Sequence, residues 1–106
     1  FKKSGDVIVL IGKSVDDIGC SEYVHNILGH KHSAAPYFDI NEELKVQKFV
    51  SVANQQQLLS SAHDVSEGGL IVTLLEKTFF KGLGMQVAQH ASNRKDAYWL
   101  GEAQGR

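Results

Sequence analysis

One cysteine, one proline and one methionine in 106 residues leave several kinds of chemistry without material. The lone Cys20 excludes an internal disulfide and a cysteine-rich metal centre, and it agrees with a reducing, cytoplasmic setting. No apolar run approaches the roughly 20 residues of a membrane span. Phe1-Lys2-Lys3 leads into a short apolar run with no small-residue cleavage site behind it, so neither a secretory leader nor a membrane anchor is expected. Neither sign of charge dominates: 11 basic residues against 12 acidic ones leave a formal net charge of −1. A nucleic-acid surface, an anionic-membrane binder and an acidic tail are therefore not expected. The first residue is Phe and no methionine precedes Met85, which suggests a segment of a longer chain.

An apolar content of 42% suits one compact domain over residues 1–106. Asp6 to Gly12 is a β-branched and leucine run bounded by polar residues and glycine, the pattern of a strand covered on both faces. Ser21 is placed to cap a short helix over 21–28, with Tyr23, Val24, Ile27 and Leu28 on one face and Gly29 ending it. An irregular stretch containing Pro36 follows. Asp39 with Glu42 three residues on gives an N-capping pattern for a helix near 40–56, whose Val46, Phe49, Val50 and Ala53 recur at helical spacing. Leu58 to His63 is too short for a helix and predicts a second strand. Leu70, Ile71, Leu74, Leu75 and Phe79 predict the apolar face of a helix that Gly82 ends, with Thr73, Glu76 and Lys77 opposite. Leu83, Met85 and Val87 alternate as in a third strand, and Ser92 or Asn93 can cap a last helix running to Leu100 and Gly101. Strands alternating with helices predict an α/β layered domain.

The most informative stretch is Ala62-His63-Asp64-Val65-Ser66-Glu67-Gly68-Gly69-Leu70. Two adjacent glycines at a helix start forgo about 0.8–1.0 kcal/mol each against alanine, so another demand must fix them there. One candidate is a neighbouring backbone too close for a Cβ. The other is an anionic group on the free amides and the positive end of the helix dipole. On the second reading His63 supplies an orientable donor or acceptor, Asp64 holds Mg²⁺ or an amine, and Ser66 touches a phosphate oxygen. On the first, Asp64 or Ser66 caps the helix, with Glu67 completing a box.

Gly19-Cys20-Ser21-Glu22-Tyr23 is a second loop-to-helix junction, where Ser21 serves either as a cap or as an anion ligand. Cys20 has no activating base or cation in the pattern and reads as a small semi-buried thiol. His25, His30 and His32 lack a recognised ligand spacing, so no metal site is expected. In Gly101-Glu102-Ala103-Gln104-Gly105-Arg106 the guanidinium of Arg106 is suited to grip a phosphate bidentately, and the plainer reading is a polar turn with Glu102 and Arg106 in solvent.

The Ala62 to Leu70 run, Gly19-x-Ser21-Glu22-Tyr23 and Gly101-Glu102-x-Gln104-Gly105-Arg106 together resemble the phosphoribosylformylglycinamidine synthase family. The likeness is to the carboxyl-terminal domain of the second half of its synthetase subunit, within the AIR synthase-related superfamily. Cys20 stands where that pattern has a second glycine, and Ala103 where it has a serine. The resemblance implies a three-layer α/β/α domain with a mixed sheet, partly ferredoxin-like. It implies an ATP- and Mg²⁺-dependent ligase of de novo purine biosynthesis that phosphorylates the amide oxygen of formylglycinamide ribonucleotide. Ammonia from a glutaminase domain or subunit then displaces the phosphate to give the amidine.

His63 and Asp64 are the expected catalytic supports. Ser66, Gly68, Gly69, Ser21 and Arg106 are the expected phosphate or ligand contacts. The expected partners are the remaining domains of the synthetase chain and the glutaminase, with the isolated domain inactive and holding neither ATP nor Mg²⁺ tightly. A structural or interaction domain that fixes an auxiliary nucleotide is the alternative, as is part of another superfamily enzyme such as selenophosphate synthetase. An unpaired sheet edge would favour self-association.

Overall fold

The computed structural model describes residues 1–88 and 94–106. Its longest element is α1, Ile40–Gln55, and the sequence dictates where it starts: Asp39 is extended, and its side chain accepts from the amides of Asn41 and Glu42. That satisfies two of the four donors a helix start leaves open. Glu42 does not reach back to close a box, because its carboxylate accepts from the Tyr37 hydroxyl at 3.0 Å and lies 3.6 Å from Lys13 Nζ. Ala53 is the buried residue of α1, whereas Phe49 remains exposed.

A π-helical turn, Tyr23–Ile27, replaces the expected helix over 21–28, with Leu28 N donating to Tyr23 O. Helix α2 spans Gly69–Phe79 and α3 spans Lys95–Leu100, closed by Gly101 N donating to Ala97 O. The caps expected at Ser92 and Asn93 lie outside the described residues.

The buried stripe of α2 is rotated from the expected one. Gly69, Leu70, Thr73 and Leu74 are buried, while Leu75 and Phe79 are exposed. The cause is what α2 packs on: α3 approaches along the glycine side, so the narrow face of the helix turns inward. The core is correspondingly small-featured, with Ser21, Val24, Ala53, Leu70, Leu74, Ala97 and Ala103 buried.

The expected three-layer α/β fold with a mixed, partly ferredoxin-like sheet is overturned: the described residues contain helices and no strand. The three segments read as strands, 6–12, 58–63 and 83–87, have strand-like composition but form no ladder with one another. A strand is defined by pairing, and β-branched composition expresses only a fit to a half-buried pleated surface. The first two segments are open to solvent, with Val7, Val9 and Leu58 85%, 69% and 70% exposed, while Leu83, Met85 and Val87 are half-buried yet join no ladder among the described residues. Val65 N instead donates to Arg106 O at 3.2 Å, tying the chain's last residue to the loop ahead of α2. Among the described residues, no helix is long and apolar enough to cross a membrane.

Candidate functional site

The head of α2 sits in a crowded junction. Gly68 is left-handed at φ 82° and Gly69 at φ 69°. A Cβ on Gly69 would stand 2.8 Å from the Leu100 backbone and from the Trp99 carbonyl oxygen, closer than real Cβ contacts come. A Cβ on Gly68 would stand 2.4 Å from Val72. The left-handed backbone favours glycine at both positions, the approach of α3 leaves no room for a side chain at Gly69, and at Gly68 the obstacle is the Val72 side chain of α2 itself.

An anion also rests there, and the chain supplies it. Glu102 Oε1 accepts the amide of Gly68 at 2.9 Å and the amide of Glu22 at 2.8 Å. Glu102 is half-buried. One carboxylate oxygen thus joins three segments that are distant in sequence: the loop ahead of the π-helical turn, the head of α2 and the turn after α3. The next amide, that of Gly69, donates to Ser66 O at 2.9 Å. A shallow cleft of about 190 Å³ opens beside this junction, lined by Glu22, Tyr23, Asn26, Gly68, Val72 and Leu100 among others.

The seven expected site residues divide. His63, Asp64 and Ser66 lie on the exposed loop ahead of α2, and His63 Nδ1 is 2.6 Å from the Asp64 carbonyl and 3.6 Å from its carboxylate. Gly68 borders the cleft, and Gly69 is buried against α3. Ser21 is completely buried; its hydroxyl donates to Ile18 O at 2.7 Å and accepts from Val24 N at 3.3 Å. That is capping geometry.

Arg106 turns inward and donates to the carbonyls of Tyr98 and Gly101. Burial pushes its guanidinium below the ordinary arginine value, and its buried Nε has no hydrogen-bond partner among the described residues. Among the described residues no three His, Cys, Asp or Glu side chains are grouped to hold a metal ion. Glu102 is the residue that sequence reasoning passed over. Its signal was present, since it stands in one of the three motifs, but a glutamate after a helix-ending glycine reads as a solvent-facing turn.

Residues 3–106 match the family model of the AIR synthase related protein, C-terminal domain, and the chain belongs to that family. More particularly, it is similar over its whole length to proteins named phosphoribosylformylglycinamidine synthase subunit PurL. It is 39% identical over 106 residues to that of Alkaliphilus metalliredigens and 35% identical over 106 residues to that of Methylocella silvestris. It is also 40% identical over 110 residues to that of Symbiobacterium thermophilum. In each case all of this chain is covered, and it spans 14% of the relative's length.

Proposed function

We propose that the chain serves as a domain of a phosphoribosylformylglycinamidine synthase. In this reading it takes part in the ATP-dependent conversion of formylglycinamide ribonucleotide to its amidine in purine biosynthesis, alongside further synthetase domains and a glutaminase. The observation that carries the reading is the match of the whole chain to PurL proteins at up to 40% identity.

The loop from His63 to Gly69 is the part we assign to a phosphate-facing wall. Its outward side chains, His63, Asp64 and Ser66, are placed to meet a ligand, while Gly68 and Gly69 give the wall its shape. The donors we assign to the ligand are side-chain ones, and the Gly68 and Gly69 amides already have acceptors within the chain. The carboxylates present do not fit a Mg²⁺ site, since Asp64 is exposed and, among the described residues, belongs to no group of three metal-ligating side chains. Mg²⁺ and most of the nucleotide are therefore assigned to other parts of the protein. What this chain contributes is orientation: an imidazole and a hydroxyl on a loop whose base is pinned.

The test is an assay of the natural-length protein with formylglycinamide ribonucleotide, ATP, Mg²⁺ and ammonia. Amidine formation that falls in a His63→Ala variant supports the reading. Absence of amidine together with ATP-dependent formation of selenophosphate from selenide overturns it in favour of another superfamily reaction.

A further inference from the structure

The inference that carries furthest concerns Glu102, and it rests on the reading of the His63–Gly69 loop just given. We propose that Glu102 is a positioning residue: its Oε1 binds the Gly68 and Glu22 amides at once and thereby holds the phosphate-facing loop in register with the Ser21–Tyr23 junction.

Three observations combine. First, both distances, 2.9 and 2.8 Å, are those of charge-assisted hydrogen bonds, and both end on the same oxygen. Second, the donors lie 34 and 80 residues away in sequence, so the contact fixes tertiary rather than local geometry. Third, the carboxylate is aimed by rigid neighbours. A Cβ on Gly101 would stand 2.5 Å from the carbonyl oxygens of Ala97 and Asp17, and Ala103 is buried. Glu102 therefore has a buried neighbour on either side, and its side chain is directed into the junction.

The consequence for a ligand is specific. A phosphate cannot use the Gly68 amide without displacing Glu102, and two negative groups in one small junction repel. The carboxylate therefore sets where the loop stands while directing an incoming anion to the outward imidazole of His63 and hydroxyl of Ser66.

The experiment uses the natural-length protein and its Glu102→Ala, Glu102→Gln and Glu102→Asp variants. Amide hydrogen exchange is measured at Gly68 and Glu22, with Val50 in the middle of α1 as the internal standard. Nucleotide KM and kcat are measured in parallel. Loss of a hydrogen bond to a charged group predicts that both amides exchange about tenfold faster or more in Glu102→Ala, with Val50 unchanged and Glu102→Gln intermediate. It also predicts a raised KM for ATP with kcat little altered.

Unchanged exchange at Gly68 and Glu22 overturns the positioning role. Faster exchange at both amides with KM unmoved in every variant upholds the carboxylate bridge and instead overturns the placement of this loop at the phosphates, so the two failures are separable. Should Glu102→Ala not fold, the Gln and Asp variants carry the same comparison.

Discussion

Replacing Gly69 with alanine sets two expectations of opposite sign against each other. Helix propensity alone favours alanine over glycine by about 1 kcal/mol, so a chain with room at that position would gain stability. The structure leaves no room. At φ 69° an L-residue meets the left-handed penalty of about 1–2 kcal/mol. The new methyl would also stand 2.8 Å from the Leu100 backbone and the Trp99 carbonyl, where neither neighbour is the end of a flexible side chain. Overpacking of that kind costs about 1–3 kcal/mol, which brings the expected loss to about 2–5 kcal/mol.

Gly29→Ala is the control, since Gly29 has φ 72° but, among the described residues, nothing within 4 Å of an added Cβ. It should lose only the conformational part, about 1–2 kcal/mol. Urea unfolding of the two variants, followed by far-ultraviolet dichroism, reads the difference. For a slope near 2 kcal/mol per molar, a loss of 3 kcal/mol lowers the midpoint by about 1.5 M. Equal losses in the two variants, or a gain in Gly69→Ala, would refute the close packing of α2 on α3.

Cys20 occupies the left-handed region at φ 52°, so Cys20→Gly is expected to stabilise the chain by about 1 kcal/mol despite losing weak Sγ contacts to Ser33 O and Ala34 O; thermal unfolding checks it. Ser21→Ala removes a buried hydroxyl that both donates and accepts, and a loss of about 1–2 kcal/mol is expected in denaturant unfolding. The hydrogen bond from Arg94 holds the Asp96 carboxyl below the usual carboxylate range. A depressed folded-state pKa means that its contribution is present above about pH 4 and is lost as pH falls through the lower folded value. The acid side of the stability curve should therefore flatten in Asp96→Asn, by an amount that added salt shrinks because the pair faces solvent.

What was legible in the sequence was local. Asp39 announced the start of α1, Gly101 the end of α3 and the paired glycines the crowded head of α2, because capping and left-handed backbone are decided by one or two residues. That the described residues form no sheet was not legible, since Val7, Val9 and Leu58 carry strand composition whether or not another segment lies alongside. The rotation of α2 was hidden for the same reason: Leu75 and Phe79 look like core, yet the side turned inward carries Gly69, which packs on α3, and Thr73, whose hydroxyl donates to Asp64 O. At the site, the three motifs were each visible, but the bond that joins them runs through Glu102, whose partners are 34 and 80 residues away. No spacing rule reaches that far.

The most direct measurement is the through-hydrogen-bond scalar coupling between backbone amide nitrogens and the side-chain carboxyl carbon of Glu102, read by NMR on labelled protein. The account predicts that the Gly68 and Glu22 nitrogens both couple to that one carbon, and that inorganic phosphate leaves both couplings in place. Absence of both couplings, with the Gly68 amide shifting as phosphate is added, would contradict it and give the head of α2 to an outside anion.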